Sequence, residues 1–152
     1  MKISDDKYLI VIDNETISRY EEHYFKLHPR AKKPPIARPY HESINEWMIM
    51  HNQALNNLKQ KWKDFIYWVV NEEGHSNLGI DNCVITHTVY FPTNRRHDND
   101  NTVPKFILDG LVVSGMLVDD DSLHVRKLIL TCGVDKEHPR TELHIELLSN
   151  TN

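Results

Sequence analysis

The chain of 152 residues has few of the residues that announce common binding folds. It has two cysteines, Cys83 and Cys132, and they form no CxxC pair, so a disulfide scaffold is not the expectation and a reducing cytoplasm is. With five glycines there is no GxGxxG and no P-loop, which removes the usual nucleotide-binding loops. Ten histidines are scattered without HExxH or zinc-ligand spacing. No apolar run reaches bilayer length, and the opening MKISDDKYLI has no signal-peptide core, so no membrane partner is expected.

What is present is a soluble composition, 39% hydrophobic and 26% charged, of a length that suits one domain over residues 1–152. Its net charge of −4 argues, as an average, against a nucleic-acid partner. The average hides two opposed segments. Residues 26–41 carry Lys26, Arg30, Lys32, Lys33 and Arg38, no acid, and Pro29, Pro34, Pro35 and Pro39. Such a segment reads as an extended, stiffened loop, either merely solvated or able to track phosphates. Residues 98–121 carry Asp98, Asp100, Asp109, Asp119, Asp120 and Asp121 against one cation, Lys105. Carboxylates crowded without cations repel one another unless something compensates, and a divalent metal is a common compensator.

Periodicity gives a coarse order of elements. KYLIVID (7–13) reads as a strand, and 14–41 as a long loop with at most a helical turn near 15–25. Apolar residues three and four apart predict one long helix over 44–73, capped by Ser43 and Glu46 and stopped at Gly74. Trp68 falls off the main stripe and leaves room for a dimer contact. A strand is expected over 82–91, a second helix over 102–114 with Pro104 in its first turn and Gly115 as its stop, and strands over 124–132 and 142–148. The class is α+β, a mixed sheet with a long and a shorter helix packed on it.

The stretch RRHDNDNTVPKFILDGLVVSGMLVDDDSLHV (95–125) carries the chemistry. Asp98 and Asp100 are two apart, so an extended backbone points both to one side. A helix with Lys105 and Asp109 follows, and the chain returns through Asp119, Asp120 and Asp121. Three such carboxylates form a hard oxygen site suited to Mg²⁺ or Mn²⁺. Taken singly, an Asp-x-Asp or an Asp triplet is usually a cap or a solvated turn.

In Arg95-Arg96, Asp98-Asn99-Asp100-Asn101, Lys105, Asp109-Gly110-Leu111, Gly115 and Asp119-Asp120, this stretch resembles the RusA family of Holliday-junction resolvases of bacteria and their phages. The sequence departs from the family pattern in one extra residue before Lys105, at Pro104, in Asn99, and in the additional Asp121. The resemblance implies a RusA-like fold and a homodimer. It implies Mg²⁺-dependent hydrolysis of branched DNA in recombination and repair. It implies catalysis by Asp98, Asp100, Lys105 and Asp120, with metal held by Asp98, Asp100 and Asp120. Arg95, Arg96 and the 26–38 arm would contact DNA, and His97, Asp109, Asp119 and Asp121 would surround the ligands. The third ligand is open among Asp119, Asp120 and Asp121, with spacing from Asp109 favouring Asp120. The rival expectation is a non-catalytic DNA-binding or regulatory protein on the same scaffold.

Overall fold

The structure, a computed structural model, describes residues 1–37 and 40–149. It is an α+β fold built on one mixed sheet. Five strands, β1 (Lys2–Ser4), β2 (Lys7–Asp13), β3 (Cys83–Phe91), β4 (Val125–Val134) and β5 (Arg140–Leu147), lie in the order β1-β2-β5-β3-β4. All pairs are antiparallel except β3 with β4.

Strand alternation decides which face is covered. In β2, Tyr8, Ile10 and Ile12 turn inward, and Ile85 and Val89 of β3 and Leu143 and Ile145 of β5 join them. The helices α1 (Asn14–Leu27), α2 (Ile44–Trp47), α3 (Asn52–Glu72) and α4 (Lys105–Val113) close over that face. α3 supplies Trp62, Phe65, Ile66, Val69 and Val70 to the core, and α4 supplies Phe106, Ile107 and Leu111. The two helices pack at Gly110, where an added Cβ would lie 2.6 Å from Ile66 Cβ. No helix among the described residues is long and apolar enough to cross a membrane.

Several elements differ from the sequence expectation. Residues 14–27 form a full helix, not a loop. Asp13 caps it by accepting the Thr16 N–H at 2.9 Å, but only Ile17 and Tyr20 are buried, which leaves a faint periodic signal. The expected helix over 44–73 is broken. His51 is extended (φ −67°, ψ 154°), and α2 is held separately by Asn101, whose side-chain oxygen accepts the Asn45 N–H at 2.9 Å. The Ser43 hydroxyl also points to Asn101 (3.4 Å), so Ser43 makes no capping bond of its own. Thr102 closes a 3₁₀ turn over Asn99–Thr102, and Pro104 stands at the N-cap of α4. Gly74 and Gly115 end their helices with φ of +75° and +78°. Trp68 is no free contact surface, because Tyr20 (5.3 Å between ring centroids) and Arg19 of α1 lie against it.

Candidate functional site

The acidic loop starts where β3 ends. Phe91 is buried, residues 92–100 are exposed, and the His97 ring lies flat on Phe91 at 3.5 Å and 5° between planes. His41 meets the same Phe91 ring edge-on at 5.4 Å. His97 thus clamps the segment that carries Arg95, Arg96 and Asp98 onto the sheet. Asp98 takes the N-cap position of the 3₁₀ turn without making a capping bond. Asp98 and Asp100 are both exposed. Asn101, next along, ties the turn to α2, and the Thr102 hydroxyl bonds the Asn99 carbonyl at 3.1 Å. Thr102 is buried and sits against Cys132 of β4.

The following helix is anchored by a residue that sequence reasoning missed. Glu42 is 2% exposed, and its two carboxylate oxygens accept the N–H groups of Phe106 (2.8 Å) and Ile107 (2.9 Å) at the start of α4. These are two of the donors a helix start leaves unsatisfied. Burial pushes the Glu42 carboxyl up to about 8, against the lowering effect of the two N–H groups. Nearby Asp109 raises it further and Lys105 lowers it. Glu42 therefore fixes the origin of the helix that presents Lys105, exposed, and Asp109, half-buried. Its partners are 64 and 65 residues away, so no local signal marks it.

The return turn stands apart. Asp119 accepts the Asp120 N–H at 2.8 Å, while Asp121 accepts the N–H groups of Leu123 (3.0 Å) and His124 (3.1 Å) and pairs with the His124 ring. Asp119, Asp121 and His124 are the one group of three close ligand-type side chains among the described residues. Hydrogen bonds within the turn already account for the closeness of Asp121 and His124. Asp120 is held above the usual aspartate range, first by partial burial and then by the neighbouring charges of Asp109 and Asp119.

Asp98, Asp100 and Asp120 are not gathered within one chain. The reason lies in the sheet. Because β3 and β4 are parallel, the loop leaving β3 and the turn entering β4 lie at opposite ends of the pair. Cys83 pairs with Val125 and Phe91 with Val134. Thr102 sits at Cys132, seven positions along β4 from Val125, which is about 23 Å.

Of the basic residues, Lys26 belongs to α1 and faces Glu22 (3.4 Å). Arg30, Lys32, Lys33, Arg95 and Arg96 are exposed, and the arm is pinned through buried Ile36. Arg38 lies outside the described residues. No protein-family model matches the chain, and no curated protein matches it.

Proposed function

We propose that the protein is a metal-dependent endodeoxyribonuclease that cuts branched DNA, of the Holliday-junction resolvase type, acting in DNA recombination and repair. The observation that carries this reading is the build of the acidic loop. Asp98 and Asp100 are left exposed on a turn that His97, Asn101 and Thr102 hold from three sides, with Lys105 one short step away on a helix anchored by Glu42. A merely solvated loop needs no such fixing. Exposed Arg95 and Arg96 and the basic arm supply phosphate contacts.

The donor chemistry of Asp98, Asp100 and Asp120 suits Mg²⁺ or Mn²⁺. Such an ion, when bound, makes a coordinated water acidic and polarises a phosphoryl oxygen. Water attacks phosphorus, one P–O ester bond breaks, and the leaving oxygen takes up a proton. Lys105 offsets the negative charge that builds on the phosphoryl oxygens, and Arg95 and Arg96 orient the strand.

The separation of the acids calls for a second copy. β4 ends the sheet, and Leu128, Ile129 and Val134 are exposed along it. These apolar side chains, with exposed Arg126 and Lys127 among them, flank an open edge, and a long edge strand invites pairing. Antiparallel pairing of β4 with the same strand of a second copy, about a two-fold axis near Ile129 and Leu130, sets Val125 opposite Val134. The 118–124 turn of one copy then lies beside the Asp98–Asp100 loop of the other. A two-fold dimer also matches the symmetry of a four-way junction.

A non-catalytic DNA-binding role is the second reading, favoured by the separation of the acids within one chain. The two part on nicking of a synthetic four-way junction. Asp98→Asn and Asp120→Asn should each abolish Mg²⁺-dependent nicks and leave junction binding largely intact. Wild-type protein that binds the junction yet never nicks it in Mg²⁺ or Mn²⁺ would leave the second reading standing.

A further inference from the structure

A cavity of about 220 Å³ opens at the end of β3, between the last residues of the basic arm and the first of the acidic loop. Tyr40 and His41 line it from the arm, Tyr90 and Phe91 from β3, and Arg140 from β5. Its wall is almost wholly apolar and aromatic, and it adjoins Pro92, where the acidic loop leaves β3, and the Phe91 ring that His97 covers. Pockets for drug-sized ligands run to about 300–1,000 Å³, so this one takes a single planar ring system and not a whole nucleotide.

The wall is built to be stiff. The Arg140 guanidinium lies 4.0 Å over the Tyr90 ring and is fixed by Asp135 (2.8 Å) and Glu142 (2.9 Å). On its far side Tyr90 rests on Gly133, where a Cβ would lie 3.0 Å from the ring. The Tyr40 main-chain carbonyl accepts the Thr141 hydroxyl, and the Tyr40 phenol donates to Asn14. Tyr90 is covered by Arg140 and Gly133 and Phe91 by His97, so Tyr40, 38% exposed, is the ring left for a flat partner, and every nucleobase offers a flat π-face without regard to sequence. A duplex hides that face, whereas a strand that leaves the helix at a branch exposes it.

We infer that this cavity receives one unpaired nucleobase of the bound DNA strand. It thereby sets which phosphodiester, counted from the branch point, reaches the Asp98–Asp100 loop. The inference rests on the DNA reading above and adds the subsite. It makes the spacing from unpaired base to cut a property of the wall, with stacking as the recognition and no base-edge code.

The test uses the full chain and branched DNA carrying 2-aminopurine either unpaired beside the branch point or inside a duplex arm. Anisotropy of an end label reports binding independently. On binding, emission from the unpaired position should fall as the base stacks, and emission from the duplex arm should not change. Tyr40→Ala should abolish that fall and weaken binding about tenfold, while Tyr40→Trp keeps both. Full binding with the same emission response at both positions overturns the subsite and leaves the DNA reading intact. A Tyr40→Ala protein that folds and still quenches the unpaired probe overturns it equally. No anisotropy change with any branched DNA overturns both.

Discussion

The two ends of the β3–β4 pair carry similar numbers of carboxylates and treat them in opposite ways. At the end of β3 the protein spends its side chains on the backbone. His97 stacks on Phe91, Asn101 holds α2, and Glu42 caps α4. Asp98 and Asp100 are left exposed. At the start of β4 the acids serve the turn itself, for Asp119 and Asp121 accept its N–H groups and Asp121 pairs with His124. Asp120 alone is left facing another carboxylate, Asp109. A cluster of acids close enough to hold an ion is therefore not by itself a site. What distinguishes one is that the scaffold satisfies its own needs with other groups.

Removing the anchor at the held end should have the largest effect. Glu42→Ala strands two buried N–H donors at the start of α4 and should cost roughly 3 kcal/mol in denaturant unfolding. A comparable deletion in the self-bonded turn, Asp121→Ala, should cost far less. Equal losses would erase the contrast between the two ends.

The next effect is on pH. The folded-state pKa of Glu42 is raised to about 8 by burial. Its stabilising contribution is therefore complete below the unfolded value near 4.5 and is lost as pH rises through about 8. His87 has the opposite sign. It is fully buried, neither ring nitrogen has a hydrogen-bond partner among the described residues, and burial followed by the nearby His41 lowers it to about 4. Stability from this neutral ring is present above about 6.5 and lost as pH falls through about 4. Between about pH 4.5 and 6.5 the two slopes oppose each other and stability should be nearly flat, and above about 6.5 it should fall by about 2 kcal/mol as pH rises to about 8. Glu42→Gln should flatten the alkaline limb and uncover a fall towards acid, while His87→Leu should leave stability rising as pH falls from about 8 towards 4.5. An alkaline limb that survives Glu42→Gln belongs to another group.

Much of this was legible in the sequence where the signal is local. Alternation in KYLIVID, the turn glycines Gly74 and Gly115 and the β-branched run at 83–91 each map onto their elements. The α+β class follows from them. Long-range pairing was not legible. The break between α2 and α3 depends on Asn101, 56 residues from Asn45, and the cap of α4 depends on Glu42. α1 buries too few residues to show a stripe, and it covers the Trp68 that looked free for a partner. At the candidate site, the motif offers candidate residues but not their separation, because the parallel register of β3 and β4 is a property of the sheet. The edge position of β4 was hidden for the same reason, since the pattern VRKLILTCGV does not say whether the strand lies inside a sheet or at its rim.

In the proposed site, the Asp98–Asp100 pair of one copy meets Asp120 of the other across a two-fold dimer. The most direct test mixes two inactive proteins, Asp98→Asn/Asp100→Asn and Asp120→Asn, under conditions that exchange subunits. A site shared between copies predicts that the mixture regains Mg²⁺-dependent nicking of a four-way junction. Each mixed dimer then holds one site with every carboxylate intact. If the wild type nicks and the mixture stays inactive although mixed dimers are present, the acids do not act across copies and the claim is wrong.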